Sequence, residues 1–322
     1  MKMLVTGGLG FIGMNFINYW LERYHDQIIN LDKMTYASNN PDFISHESKE
    51  NYSFVKGDIC DTKLVEEIVE DVDCIVNFAA ESHVDNSIVN SRKFVETNVL
   101  GTHNLLEAAR KFDVRFHHIS TDEVFGALEP DADDKFNENT RYDPQNPYSA
   151  TKASADHLVN AYVNTYGVRA TISNCSNNFG PLQHPEKLIP KSILRLLNGR
   201  KVELYGDGNQ IRDWIFVTDH CSAIDTILKK GKIGESYLIG AENEKTNLEI
   251  VRAIAEILQI SSENSIEFIA DRPGHDRRYA IDPSKITKVL GWTPKFEFIG
   301  ALRETVEFYK TKHNLFNGTK FQ

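Results

Sequence analysis

Cysteine is scarce in this chain. Cys60, Cys74, Cys175 and Cys221 are the only four in 322 residues, and no two form a C-x-x-C pair. That spacing excludes a disulfide framework and a zinc ribbon, and it reads as reduced, mostly core thiols in a reducing compartment. The 11 histidines contain no H-E-x-x-H pattern, so no metal site is expected. Positive charge is in deficit, with 36 Lys and Arg against 46 Asp and Glu and a net charge of −10. A general nucleic-acid or anionic-membrane surface is therefore excluded, and an anionic substrate would need a local basic cluster. There is no long apolar run to span a membrane, no internal repeat and no low-complexity segment. The first residues enter a strand at once and leave no room for a signal peptide, so a cytoplasmic location is expected.

What the chain does have is an ordinary globular composition, 41% hydrophobic and 25% charged, at a length that suits two domains or one with a large lobe. Its organising stretch is Leu4-Val5-Thr6-Gly7-Gly8-Leu9-Gly10-Phe11-Ile12-Gly13. An apolar run feeds a glycine turn, and Phe11, Ile12, Phe16, Tyr19 and Trp20 then recur at helical spacing: strand, tight turn, helix. Gly7 supplies turn dihedrals, Gly10 lets backbone approach a diphosphate, and Gly13 lets the helix pack close to its strand. The free N–H groups opening the helix face the phosphate charge. A glycine turn alone is equally an ordinary connector, but Asp32 closes the apolar strand Ile28–Leu31 about 20 residues on. A carboxylate there accepts from the adenosine ribose and repels a 2′-phosphate, favouring NAD over NADP.

Strands and helices then alternate. Tyr52–Val55 reads as a strand, and Asp58 with Ile59 either flanks an adenine or caps the next helix. Cys74–Phe78 is a further strand, ending in the small residues Ala79 and Ala80. A long helix is expected over 91–112, a strand over 115–120, a helix over 148–166 and a strand over 168–172. His117 and His118 alternate across their strand as core or surface histidines. This rhythm predicts a doubly wound parallel sheet. The loop from Gly126 to Pro147 is long, acidic and proline-bearing, as a cover over a site would be. Beyond Asn174 the alternation breaks into a smaller mixed lobe, with a capping box at Thr246 and Glu249.

Two constellations carry chemistry. Tyr148 and Lys152, four apart, share a helix face, where the ammonium and a nicotinamide charge would favour the phenolate as a base. Ser120-Thr121-Asp122-Glu123 ends a strand at the same crevice, and adjacent carboxylates with separated pKa values can divide acid and base roles, although an exposed turn is the plain alternative.

These motifs resemble the extended short-chain dehydrogenase/reductase superfamily and, within it, the dTDP-glucose 4,6-dehydratases. The resemblance runs from end to end, through Asp32–Ala37, Ala79–Asp85, Ser120–Val124, Tyr148–Lys152, Asn174–Asn178, Pro185–Pro190, Arg212–Trp214 and Asp271–Tyr279. The glycine turn and Tyr/Lys pair mark only the superfamily; the Asp-Glu pair and the last stretch are more specific. It implies a Rossmann-type NAD domain over 1–176, with a return near 212–235, and a nucleotide-sugar lobe over 177–322. It also implies dTDP-glucose as substrate: Tyr148 deprotonates the sugar 4-hydroxyl, Glu123 takes the C5 proton, Asp122 protonates the departing 6-hydroxyl, Thr121 bonds the reacting oxygen, and Lys152 holds the nicotinamide ribose. Further implied cofactor contacts are Phe11, Ile12, Lys33, Thr35 and Asn98. Implied substrate contacts are Ser82, His83, Asn177, Asn178, Lys187, Leu188, Tyr205, Arg212, Asn247, His275 and Arg278, with the arginines as paired donors to the diphosphate. A homodimer through the helices at 91–112 and 148–166 is implied as well. Two departures stand out: Phe125 and Phe179 replace tyrosines usual in the family. The rival readings are an epimerase or another dehydratase of nucleotide sugars, and a noncatalytic NAD-binding regulator.

Overall fold

The computed structural model describes residues 1–44, 50–271 and 274–316. Arg272 and Pro273, within the stretch Asp271–Tyr279, lie outside the described residues. Strands β1 (Lys2–Thr6), β2 (Gln27–Asp32), β3 (Tyr52–Lys56), β4 (Cys74–Asn77), β5 (Arg115–Thr121), β6 (Ala170–Cys175) and β10 (Ser236–Ile239) form one sheet in the order β10-β6-β5-β4-β1-β2-β3. All of its pairings are parallel. Parallel strands need helical crossovers, which cover both faces and bury the strands throughout, as β4 and β6 are.

Side-chain alternation in β1 splits the core. Met3 and Val5 join Met14, Phe16 and Trp20 of α1 (Phe11–Leu21) and Ile224 of α8 (Val217–Lys230) on one face. Leu4 faces Val65 of α2 (Thr62–Val69), Leu105 of α5 (Thr102–Phe112) and Val159 of α6 (Pro147–Tyr166) on the other. The strand order reverses between β1 and β4, and the crevice at the carboxyl ends of the strands there is where such sheets take ligands.

The helix expected over 91–112 is continuous but uneven. After α3 (Val84–Val89) and α4 (Ser91–Phe94), residues Val95–Gly101 wind as wider π turns before α5. The strand expected from Val168 begins at Ala170, because Gly167 at φ 70° ends α6 and Val168 N still bonds back to Tyr162 O at 3.3 Å. The loop 126–147 is pinned rather than loose: Leu128 bridges to Arg278 and Phe136 to Ile281, and Phe136 is buried.

A second core lies under β7 (Asn177–Phe179), β9 (Ile211–Phe216) and β11 (Glu244–Thr246), with β8 (Val202–Tyr205) and β12 (Ile266–Ile269) beside it. Phe179, Trp214 and Phe216 pack there with Ile193 of α7 (Leu188–Leu197), Ile254 of α9 (Asn247–Ile257) and Leu302 of α10 (Phe298–Thr311). The capping box is formed: Glu249 N donates to Thr246 Oγ1 at 3.1 Å and Thr246 N to Glu249 Oε2 at 2.7 Å. Among the described residues no helix is long and apolar enough to cross a membrane, and no group of His, Cys, Asp and Glu could hold a metal ion. All four cysteines are free thiols.

Candidate active site

The crevice at the strand reversal is one long cleft. Its floor is the glycine turn. Gly7 sits at φ 68°, and a Cβ there would come within 2.6 Å of Ala79 N, so only glycine lets β1 and β4 end this close together. A Cβ on Gly13 would lie 2.4 Å from Gly7 O, which fixes how tightly α1 seats on the turn. The helix has no side-chain cap at Gly10, so its opening N–H groups are left to the cleft.

At the end of β2, Asp32 Oδ2 accepts from Leu9 N at 2.9 Å, while Oδ1 accepts from Met34 N at 2.7 Å and Ser38 Oγ at 3.1 Å. The carboxylate is thereby held on the cleft wall with lone pairs to spare for ribose hydroxyls. Lys33, the nearest cation in sequence, is paired with Asp58. Of the two readings of Asp58, the cap belongs to its neighbour: Asp61 accepts from Leu64 N at 3.1 Å and opens α2, whereas Asp58 lines the cleft beside Ile59. Phe11, Ile12, Thr35, Ala79, Ala80 and Ser82 also line it. Asn98 does not. It is buried behind the wall, where its side chain receives Glu81 N at 2.9 Å and donates to Glu81 O at 3.0 Å, shaping the 80–82 turn from within the π-wound segment. These residues fit NAD.

Five further side chains meet at the middle of the cleft: Thr121, Asp122 and Glu123 from the end of β5, and Tyr148 and Lys152 from the first turns of α6. Asn146 and Ser149 cap α6 reciprocally, which fixes where Tyr148 enters. Asp122 Oδ2 is buried with no hydrogen-bond partner. Burial first, then the Glu123 charge, holds its carboxyl well above the usual carboxylate range, which favours the neutral acid. Tyr148 departs from expectation. Burial and the Glu123 charge push its phenol well above its ordinary value, and Lys152 is turned aside, donating to Ile119 O at 2.7 Å. From this position Lys152 does not favour the phenolate, whereas a cation beside the ring would. Burial lowers the Lys152 ammonium, with Asp156 opposing.

Asn177, Asn178 and Lys187 line the far end of the cleft, where Lys187 Nζ donates to Ser82 O at 3.0 Å. His83 stands next to it between Asp85 and Glu186, at 4.0 and 3.8 Å. Leu188 opens α7 without reaching the cleft lining. Tyr205 and His275 stack edge to face at 5.9 Å in a separate group, which Tyr205 joins to the cleft region through Asp85 at 3.4 Å. Asn247 begins α9 near them, its backbone N–H bound to Gln210 O.

Neither Arg212 nor Arg278 lines the cleft. Arg212 lies over the Tyr279 ring at 4.1 Å and donates to Ile211 O at 2.7 Å and Asp276 O at 2.8 Å. Arg278 grips Glu244 at 2.7 Å and the carbonyls of Ala132 and Asp134, in a separate depression. The bridges that set its backbone beside Leu128 and Ile211 aim it at the 126–134 loop rather than the cleft.

Residues that sequence reading passed over include Ser38, Thr97, Gln183, His184 and Glu186, all on the cleft. The stretch Pro185–Pro190 held a signal for Glu186, one residue from Lys187. Phe125 and Phe179 are interior rings: Phe125 packs on Tyr142 at 5.2 Å and Phe179 on Phe298 at 5.3 Å, and neither lines the cleft.

Residues 4–305 match the family model described as GDP-mannose 4,6 dehydratase. A dTDP-glucose 4,6-dehydratase of Mycobacterium tuberculosis (strain CDC 1551 / Oshkosh) is 49% identical over 312 residues, 96% of this chain and 93% of its own length. The low-salt glycan biosynthesis protein Agl12 of Haloferax volcanii is 50% identical over 310 residues, 96% of this chain and 98% of its own. The crystal structure of DesIV, a dTDP-glucose 4,6-dehydratase from Streptomyces venezuelae with NAD bound, matches with a TM-score of 0.93 at 41% identity, covering 98% of both chains.

Proposed function

The chain belongs to the dTDP-glucose 4,6-dehydratase family, and from that premise we propose that it converts dTDP-glucose to dTDP-4-keto-6-deoxy-glucose and water, with NAD held in the cleft. The observation that carries the reading is Asp122, a buried carboxyl with Oδ2 unpartnered, directly beside Glu123 on the cleft. Adjacent carboxyls in different environments suit an elimination that must deliver one proton and remove another.

Gly7, Gly10, Gly13 and Asp32 would hold the cofactor's diphosphate and ribose, and Lys152 its nicotinamide ribose. When bound, NAD supplies the acceptor for the C4 hydride and the donor that returns it to C6. Tyr148 takes the 4-hydroxyl proton, with the Thr121 hydroxyl steadying that oxygen. The new 4-ketone acidifies C5–H, and Glu123 removes that proton. Asp122 gives its proton to the 6-hydroxyl, which leaves as water. Glu123 then returns a proton to C5 as the hydride reaches C6. The product has lost one water, NAD ends as it began, and the Tyr148 proton restores the acid before the next cycle. Lys187 and Asn178 serve the nucleotide-sugar end. A cytoplasmic homodimer belongs to the same proposal.

The test is incubation of purified protein with dTDP-glucose in deuterium oxide, without added NAD, followed by mass and NMR analysis. The expected product is lighter by one water and carries solvent deuterium at C5, and Glu123→Gln abolishes both changes. Absence of turnover, even with NAD supplied, overturns the substrate assignment.

A further inference from the structure

Asp156 lies outside the cleft lining, with its side chain wholly buried in α6, one turn beyond Lys152. Buried carboxylates are costly unless held by donors or an opposite charge. Here Oδ2 alone receives three donors from three parts of the chain: Ser120 Oγ at 2.8 Å, Tyr142 Oη at 2.9 Å and Asn174 Nδ2 at 3.1 Å. Asn174 Nδ2 also donates to Thr121 O at 3.2 Å. One carboxylate oxygen thus ties the helix of Tyr148 and Lys152 to the strand end that carries Thr121, Asp122 and Glu123.

Oδ1 makes no hydrogen bond within the usual distance and lies 3.4 Å from His118 Nε2. Lys152 Nζ lies 3.3 Å from the same nitrogen. On the far side of the imidazole, Asn77 Nδ2 is 3.2 Å from Nδ1, while Asn77 Oδ1 accepts from Thr6 Oγ1 at 2.6 Å. With the amide so oriented, Nδ1 accepts and Nε2 carries the proton. An N–H at that point faces the Asp156 carboxylate at 3.4 Å and cannot donate to an ammonium. Asp156 Oδ1 therefore lies beside the imidazole N–H, while Lys152 Nζ donates to Ile119 O at 2.7 Å.

Building on the reading above, we propose that Asp156 is a positioning residue of the reaction, which supplies the counter-charge that keeps Lys152 an ammonium and fixes the catalytic helix against the catalytic strand end. The titratable groups facing Lys152 are His118 from β5, Cys175 from β6, and Tyr148 and Asp156 from its own helix. Asp156 faces His118 and, from the 126–147 loop, Tyr142. His118 is held neutral by burial, Tyr148 lies well above its ordinary value, and burial pushes the Cys175 thiol up to about 12. Among these groups Lys152 is the cation, and burial lowers its ammonium while Asp156 opposes that.

The test compares Asp156→Asn and Tyr142→Phe with wild type between about pH 6 and 10, reading kcat for dTDP-glucose and, separately, NAD affinity by protein fluorescence. Removing the Asp156 charge lets Lys152 deprotonate earlier. The variant-to-wild-type ratio of kcat should fall with pH, from a loss of about threefold near pH 6 to tenfold or more near pH 9, and NAD binding should weaken over the same range. Tyr142→Phe keeps the charge but removes one donor, so Asp156 protonates at higher pH and the loss grows in the acidic direction instead. A loss that is equal at every pH, or no loss, overturns the proposal. If Asp156→Asn does not fold, the Tyr142→Phe profile decides alone. If wild type does not turn over dTDP-glucose, the substrate reading fails while the NAD-binding arm still tests Asp156.

Discussion

At the scale of the residue, the site keeps a carboxyl where water cannot stabilise its charge. Asp122 has a folded pKa raised above that of the unfolded chain, first by burial and then by Glu123. Such a group contributes stability that is fully present below the unfolded value, about pH 4, and is lost as pH rises through the folded value. Asparagine cannot ionise. Asp122→Asn should therefore raise the melting temperature at neutral pH, by about 1–2 °C for each kcal/mol relieved, with the gain shrinking towards pH 4. The same substitution removes the proton given to the 6-hydroxyl, so kcat should fall by about 10²–10⁴. Hydride removal from C4 is untouched, and reduced nicotinamide should accumulate on the protein, visible by its near-ultraviolet absorbance. A variant that is less stable at neutral pH, or that loses turnover without accumulating reduced cofactor, would contradict the acid role.

At the scale of the element, the glycine turn and α1 show how space rather than charge makes the cofactor floor. A methyl group on Gly13 would meet the Gly7 carbonyl at 2.4 Å and Gly8 Cα at 2.9 Å, both backbone and unable to move aside. Gly300, inside α10, would place a Cβ no closer than 3.7 Å from anything. Gly13→Ala should weaken NAD binding by at least tenfold in a fluorescence titration, whereas Gly300→Ala should stabilise by about 0.4–1 kcal/mol in urea unfolding and leave NAD binding unchanged. The contrast also explains what was legible in the chain. The turn, Asp32, the Tyr148/Lys152 spacing and the capping box are local, with each partner set by residues a few positions away or by one strand end. Arg212 and Arg278 carried the right chemistry, but their direction is set by bridges between β9, the 126–134 loop and residues 276–279, which no spacing reveals. Asp156 escaped for the same reason: its partners stand at 118, 120, 142 and 174 and meet only once β5, β6 and α6 are packed. The π-wound segment was invisible too, because its apolar pattern is that of an ordinary helix.

At the scale of the whole molecule, contacts join the sheet domain to the second core across the cleft: Lys187 to Ser82 O, and Tyr205 to Asp85. The sheet domain also carries an apolar surface. Ile88, Val89, Val95 and Leu100 are 47, 87, 50 and 49% exposed within one short run of chain, and Tyr166 at the end of α6 is 52% exposed. Single exposed apolar residues are normal, but several on helices that pack together point to a partner surface. The residues inward of that run are Asn98, which shapes the cleft wall, and Tyr148 on the adjoining α6. A second copy seated here would brace the cleft from behind, which is why the proposed homodimer is placed on these helices. In sedimentation the wild-type protein should run at twice the 36.6 kDa chain mass, and Leu100→Glu combined with Val95→Glu should run as a single chain. Because both side chains already face solvent in the isolated subunit, the double variant should keep the wild-type circular dichroism. Its kcat should drop only as far as bracing of Asn98 and Tyr148 matters. A double variant that still sediments as a dimer would move the interface elsewhere.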